Sequence, residues 1–286
     1  MRAQEHRRAV DASRAASADT ATPSGAGSEE HADGTAAAWD AFHRQHASVA
    51  FFKPRRYLLA EFPQLRGQEL TVLELGCGNG SSCVPLLLAN PDARVVACDF
   101  APAAVEAARQ AVAIAGAGLS GRFAALVADP SAMTPAGFAE ALEAAVSAAG
   151  WPPVTHVDAV LAVFVLSAVP PLRLPAFLAS VCACVRPGGV VLVRDYGIYD
   201  QAHLRFSPAA ACDASGRLFF RQDGTLARFF DRDELVDAVC SGAAGAGVHL
   251  SGAAEWHTVA VRNRAKDITM RHVFVHAVFT RALDDV

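Results

Sequence analysis

The sequence predicts an α/β protein with a mostly parallel sheet of seven strands and helices on both faces. Three observations carry this expectation. Strand-like runs near 71–75, 94–98, 122–127, 157–163, 190–195, 248–256 and 271–280 alternate with helix-like stretches near 80–89, 102–114, 136–148, 172–185 and 231–241. Thr71 to Leu75 is an apolar run with one acid, which reads as a short buried strand, and a glycine-rich turn follows it directly. Arg186-Pro187-Gly188-Gly189 stops a helix and turns the chain into Val190 to Val193.

Residues 1–34 carry Arg, Ala, Ser, Thr and Gly and few large apolar side chains, so they read as a disordered tail. Arg2, Arg7, Arg8 and Arg14 resemble a targeting peptide, but Glu5, Asp11 and Asp19 interrupt them, and a bland tail is the better reading. Residues 35–286 form the folded domain. Within it, about 38–65 is rich in aromatic residues and reads as helices that cover one edge of the sheet as a lid. The strand 71–75 runs into Gly76, Gly78 and Gly80, where residues without Cβ allow positive φ and close approach of a ligand. The helix after them points its free N–H groups back into the loop. Asp99 follows Gly76 by 23 residues, close to the spacing of a ribose-binding acid at the end of a second strand. A carboxylate there accepts two hydrogen bonds from a cis-diol, so the first half of the chain is built to hold a nucleoside. Asp129 ends the third strand, where it suits an adenine amine or, equally well, caps the next turn. Val163 and Phe164 end the fourth strand, and Arg194 and Asp195 end the fifth. That last couple is either a structural ion pair or a reader of a polar substrate. A long insertion at about 196–230 mixes Arg with aromatic side chains, a composition suited to bases and phosphates. Its Asp223-Gly224 is also a good hairpin turn.

Composition narrows the classes. The 286 residues suit one α/β domain with an added segment, and the net charge of −4 argues against non-specific nucleic-acid binding by the chain as a whole. Locally, Lys53, Arg55 and Arg56 cluster, as do Arg262, Arg264, Lys266 and Arg271; these are candidate phosphate contacts or ordinary solvated charges. The longest apolar stretch, Val157 to Val169, is too short to span a bilayer and holds Asp158, so no membrane association is expected. The seven cysteines form no paired C-x-x-C knuckles, so no metal site is expected, and their odd number suits reduced, mostly buried thiols in an intracellular setting, the cytoplasm or also the nucleus, with organellar targeting by the tail left open.

The glycine pattern is E-x-G-x-G-x-G, Glu74 to Gly80, and not the G-x-G-x-x-G of a dinucleotide fold. It resembles motif I of class I S-adenosylmethionine-dependent methyltransferases. Further blocks match, and those opening at Phe164, Arg194 and Arg221 are much more diagnostic: Trp39-Asp40-x-Phe42, Phe51-Phe52-Lys53-x-Arg55, Glu61-Phe62-Pro63, Ala97-Cys98-Asp99-Phe100, Phe164-Val165-Leu166-Ser167-Ala168-Val169, Arg194-Asp195-Tyr196-Gly197-x-Tyr199-Asp200, Leu204-Arg205-Phe206 and Arg221-Gln222-Asp223-Gly224-Thr225. In that order, and over about residues 38–280, they resemble the methyltransferase-like family that makes 3-methylcytidine in the anticodon loop of tRNA. The chain departs from the family's pattern at His43, where tyrosine is commoner, at Phe51 to Tyr57, where F-F-K-D-R-H-W is usual, and in a longer, alanine-rich segment between Asp129 and Asp158.

The resemblance implies a Rossmann-like class I methyltransferase sheet with its last strand antiparallel. It implies S-adenosyl-L-methionine as cofactor, held by Trp39, His43, Gly76, Gly78, Asp99, Asp129 and Val163. It implies tRNA as substrate, with Lys53, Arg55, Phe164, Ser167, Arg205 and Arg221 as candidate contacts, and for some relatives a seryl-tRNA synthetase or other helper protein. Asp195 is the candidate for favouring a cationic ring, with Arg194 positioning it or a phosphate. Two readings compete: a class I methyltransferase acting on a small molecule or protein, and a non-catalytic tRNA-binding paralogue.

Overall fold

Strands that are apolar at successive positions must be covered on both faces, and the sheet is covered in that way. The computed structural model describes residues 30–45, 53–263 and 268–283. Its strands are β1 (Thr71–Leu75), β2 (Arg94–Asp99), β3 (Phe123–Val127), β4 (Val157–Val163), β5 (Val185–Tyr196), β6 (Leu218–Phe220), β7 (Leu226–Arg228), β8 (Leu250–Asn263) and β9 (Ile268–Arg281). Seven of them form one sheet in the order β3-β2-β1-β4-β5-β9-β8. The pairs among β1 to β5 are parallel, whereas β9 runs antiparallel to both β5 and β8. β6 and β7 form a separate hairpin inside the expected insertion.

The helices are α1 (Glu30–Gln45), α2 (Leu58–Glu61), α3 (Cys83–Ala89), α4 (Pro102–Ala115), α5 (Pro135–Ala148), α6 (Leu174–Ala183), α7 (Gln201–Arg205) and α8 (Arg232–Gly245). Alternate residues of each strand enter opposite cores. One face packs Leu73, Val96, Val160 and Val193 against Phe138, Leu142, Phe177, Leu235 and Val239 of α5, α6 and α8. The other packs Val72, Val95, Leu161 and Leu192 against Leu58, Phe62, Leu87, Val105 and Val112. α8 has a full capping box, with Asp231 and Glu234 exchanging bonds with each other's backbone N–H groups.

Several boundaries differ from the sequence reading. β5 begins at Val185, because Val157 pairs with Val185 and Ala159 with Val190; Arg186 to Gly189 are bulged out inside one strand. β8 and β9 are longer than expected because they pair with each other well past the last β5 contact, at Phe274. α1 begins at Glu30, inside the segment read as a tail, while residues 1–29 lie outside the described residues. So do Phe51, Phe52, Arg264 and Lys266. Of the expected cover, 58–66 is core, with Leu58, Leu59, Phe62 and Leu65 buried. No described helix is long and apolar enough to cross a membrane.

Candidate active site

Strands β1, β2, β4 and β5 all end at one edge of the sheet, where a cavity of about 420 Å3 opens, within the usual range for small-molecule sites. The glycine loop forms its floor. Gly76, Gly78 and Gly80 have φ of +58°, +52° and +79°, conformations that a side chain disfavours. Gly76 is also tightly packed, since a Cβ there would stand 2.6 Å from Val165 Cγ2. Gly78 is different. A Cβ there would meet only His43, at 3.6 Å, so its bare backbone faces the cavity.

Asp99 ends β2 and is buried. Its Oδ2 accepts from Gly78 N (3.1 Å) and its Oδ1 from Ala101 N (3.0 Å). Burial raises its pKa, opposed by the Ala101 N–H, the nearby His43 and the Gly78 N–H. Each oxygen keeps further lone pairs for a donor in the cavity. Asp129 both lines the cavity and caps a turn: Oδ1 accepts from Ser131 N (2.9 Å) and Ser131 Oγ (2.6 Å), and Oδ2 stands 3.8 Å from Arg173. Val163 lies in the wall, and α1 brings Trp39 and His43 over the top, stacked with centroids 6.0 Å apart. The β6–β7 turn reaches the same helix, since a Cβ at Gly224 would stand 3.5 Å from Ala38 Cβ.

The other half of the cavity is aromatic and cationic, lined by Lys53, Arg55, Tyr57, Phe164, Ser167, Tyr196 and Arg221. Arg55 is tied to the glycine loop, its N donating to Ser81 O (2.7 Å) and its Nη1 to Ser82 Oγ (2.9 Å). Its guanidinium lies 5.5 Å from the Phe164 ring centre. Phe164 has φ +60°, costly for a bulky residue, and its N–H is held by Arg194 O at 2.8 Å. Its ring stands 4.8 Å from that of Tyr196, a position set by this left-handed backbone. Arg205 is exposed at the end of α7 and does not line the cavity.

The structure separates the two residues expected to act together. Adjacent strand positions point to opposite faces, so Arg194 and Asp195 cannot pair. Arg194 is buried between the rings of Tyr57 and Phe274, at 4.7 and 4.4 Å, and pairs with Glu61 of α2. It does not line the cavity, so its expected role at the substrate is corrected to that of anchoring α2. Asp195 is fully buried on the other face, its Oδ2 accepting from Ser167 N (3.0 Å) and its Oδ1 from Tyr196 N (2.8 Å). Burial pushes its carboxyl up to about 6, against the pull of the Ser167 hydroxyl and N–H, the Tyr196 N–H and Arg221. Asp195 therefore meets the cavity only through Ser167 and Tyr196, which line it.

Sequence reasoning missed Tyr57 and Tyr196 as cavity residues and Glu61 as the partner of Arg194. The signal for Tyr57 and Tyr196 was in the blocks already quoted; Glu61 becomes visible only through its partner 133 residues away. Glu74 is also notable. It is buried beneath the glycine loop, and burial pushes its carboxyl up to about 7 against the pull of the neighbouring Ser82 hydroxyl, Arg55 and the Cys83 thiol.

These residues fit S-adenosylmethionine. Bare backbone at Gly78 leaves room over the loop, and Asp99 offers two fixed acceptors for a ribose diol. The comparisons agree. A family model described as a methyltransferase domain matches residues 73–191. A human protein named tRNA N(3)-cytidine methyltransferase METTL6 is 36% identical over 204 residues, covering 69% of this chain and 65% of its own. The Drosophila melanogaster tRNA N(3)-methylcytidine methyltransferase Mettl2 is 29% identical, covering 86% and 71%. A solved SAM-dependent methyltransferase from Anabaena variabilis shares the fold, with TM-score 0.59 and 14% identity, covering 86% of this chain and 94% of that one. The fold is thus that of the S-adenosylmethionine-dependent methyltransferases, and the glycine loop and Asp99 suit that cofactor. The chain is similar to a group of curated proteins named tRNA N(3)-cytidine methyltransferases. It spans 65% of the length of the human relative.

Proposed function

We propose that the protein methylates N3 of a cytidine in the anticodon loop of tRNA. One observation carries the reading: a nucleoside-holding half, built on Gly76, Gly78, Asp99 and Asp129, opens directly onto a half walled by Arg55, Phe164, Tyr196 and Arg221. The first suits a cofactor and the second a flipped base with its phosphates. The names of the relatives support the same substrate.

Asp99 would hold the ribose hydroxyls, Asp129 the adenine amine, and Trp39, His43 and Val163 the adenosine faces. When bound, S-adenosylmethionine supplies an electrophilic methyl group on a sulfonium. The remaining work falls to the chain. Neutral cytosine carries a lone pair at N3, so no strong general base is needed. Phe164 and Tyr196 would align the ring, a contribution of proximity and orientation. Methylation leaves the ring cationic. Asp195, ionised at neutral pH, places a buried negative charge behind Ser167 and favours that cation. Asp195 is thus a positioning and electrostatic group that works through Ser167.

The partners follow from the same reading: tRNA as substrate, with a seryl-tRNA synthetase or another helper protein as a presenting factor. Cys77, Cys83, Cys98, Cys182 and Cys184 are buried free thiols, which supports residence in a reducing compartment such as the cytoplasm.

The test is single-turnover methylation of anticodon stem-loops and of full tRNA, with and without seryl-tRNA synthetase, read by nucleoside mass spectrometry. The expected product is 3-methylcytidine, lost when the target cytidine is replaced by uridine. If S-adenosylmethionine binds but no tRNA gains 3-methylcytidine under any of these conditions, the substrate assignment is wrong.

A further inference from the structure

The turn between β6 and β7, Arg221-Gln222-Asp223-Gly224-Thr225, carries a line of hydrogen bonds that ends at the cavity. Asp223 Oδ1 accepts from Thr225 N (3.0 Å) and from Thr225 Oγ1 (2.7 Å). A carboxylate only accepts, so the hydroxyl proton of Thr225 is committed to Asp223. The lone pairs of that hydroxyl are left for Arg221, whose Nη1 donates to it at 3.3 Å. The same Nη1 donates to Leu226 O at 2.9 Å. Both hydrogens of one guanidinium nitrogen are therefore spent on the hairpin. The guanidinium lies 5.6 Å from the Tyr196 ring centre and lines the cavity, with Nε and Nη2 left for another acceptor.

Thr225 itself is only 1% exposed and does not line the cavity. The turn does not need its hydroxyl to close, because Arg221 N already donates to Thr225 O (2.8 Å) and Gly224 N to Arg221 O (3.0 Å). The hydroxyl is bonded on both sides, donating to Asp223 and accepting from Arg221, and so carries the order of the turn outward to the guanidinium. The hydroxyl's distinct use is to aim Arg221.

We propose that Thr225, oriented by Asp223, is a positioning residue that holds the Arg221 guanidinium at the cavity so that its free N–H groups meet an oxygen of the incoming nucleotide. The acceptor is a pyrimidine carbonyl or a phosphate oxygen, both of which suit a planar, multi-donor cation. A guanidinium that loses Thr225 keeps its charge and its bond to Leu226 O but loses one of the two bonds that fix its plane, so the effect falls on substrate use and not on the fold or the cofactor. The inference rests on the tRNA reading above.

The experiment compares Thr225→Val, Thr225→Ser, Arg221→Ala and the double variant Thr225→Val/Arg221→Ala in the full chain. Thr225→Val is expected to lower kcat/KM for the anticodon stem-loop about tenfold, the scale of one hydrogen bond to a charged group. Cofactor affinity and melting temperature should stay at wild-type values, and Thr225→Ser should restore the rate. In the Arg221→Ala background, Thr225→Val should add nothing, because Thr225 acts through Arg221. The Arg221→Ala variant also identifies the acceptor: loss of a phosphate contact makes RNA binding less salt-dependent, whereas loss of a base contact leaves the slope unchanged. Equal losses from Thr225→Val with and without Arg221, or no rescue by serine, overturn the proposal. A readout independent of any substrate accompanies these: side-chain 15N relaxation of Arg221 should show an ordered guanidinium that becomes mobile in Thr225→Val. An equally ordered guanidinium in both overturns the proposal even if tRNA is not the substrate, whereas failure of tRNA turnover in the wild type, with Arg221 ordered by Thr225, overturns only the tRNA reading.

Discussion

Replacement of Asp99 tests the cofactor site most directly. In the structure each carboxylate oxygen accepts one backbone N–H, from Gly78 at 3.1 Å and from Ala101 at 3.0 Å, and retains lone pairs toward the cavity. Asp99→Ala removes a charged acceptor of the ribose diol. A hydrogen bond to a charged group is worth roughly 1.5–3 kcal/mol net, so the cofactor Kd should rise on the order of 10- to 150-fold. The same variant leaves the Ala101 N–H, at the start of α4, without its acceptor, which should lower stability by about 1 kcal/mol. Asp99→Asn sharpens the test. Its amide oxygen can serve only one of the two N–H groups, and its amide nitrogen then faces the other as donor to donor. Asn should therefore fail to restore either affinity or stability, despite its matching shape. Isothermal titration with S-adenosylmethionine and thermal melts of all three proteins measure both effects. A Kd for Asp99→Ala within twofold of wild type, or an Asp99→Asn protein that matches wild type in both assays, would refute the assignment.

Three other perturbations probe the rest of the site. Asp195→Asn should lower single-turnover methyl transfer on the order of a hundredfold, the scale of one preorganised electrostatic group, with cofactor affinity retained and some stability lost because the amide oxygen can accept from only one of the Ser167 and Tyr196 N–H groups; a near-wild-type rate removes Asp195 from the mechanism. Its carboxyl is held at about 6, against 3.8 ordinarily, so wild-type methylation should rise with pH through about 6 and the variant should lose that limb. The stability linked to Asp195 has the opposite sign: it is intact below pH 3.8, where both states are protonated, and is lost as pH rises through about 6, because the unfolded chain gives up the proton first. Arg194→Met should act on stability alone, lowering it by about 1.5–3 kcal/mol by leaving the half-buried Glu61 with only the His257 ring, at 3.5 Å, in place of the guanidinium; unfolding by denaturant checks this, and an unchanged midpoint would show that α2 is anchored by packing. Arg262 and Arg271 are both exposed on the projecting end of the β8–β9 hairpin, where Arg262 pairs with Thr269 and Arg271 with Ala260. Reversing both charges should weaken tRNA binding and flatten its salt dependence, measured by fluorescence anisotropy, with no change in cofactor affinity.

Much of this protein was determined by the sequence alone, because the deciding interactions are local. The run Thr71 to Leu75, the left-handed turns at Gly76 and Gly78 and the acid at Asp99 depend on strand burial, on the absence of Cβ and on the length of one helix and strand. Those signals lie within one strand–helix–strand unit, and strand–helix alternation then predicts a mostly parallel sheet. The Asp223-Gly224 turn is local in the same way. Only the tertiary structure decided where the charged residues work. Arg194 and Asp195 are neighbours in the chain, yet the pleat of β5 sends one to Glu61 on α2 and the other to the backbone of Ser167. Bulged residues 186–189 and the long β8–β9 hairpin likewise depend on which strands come to lie side by side. The link from Asp223 through Thr225 to Arg221 lies within five residues, but its meaning does not. Arg221 becomes a site residue only because the hairpin packs over Tyr196, at the end of a strand laid down by the sheet. Pattern in a sequence reports what neighbouring residues make favourable together; the direction in which a side chain points at a distant partner is set only when the cores on both faces of the sheet have packed.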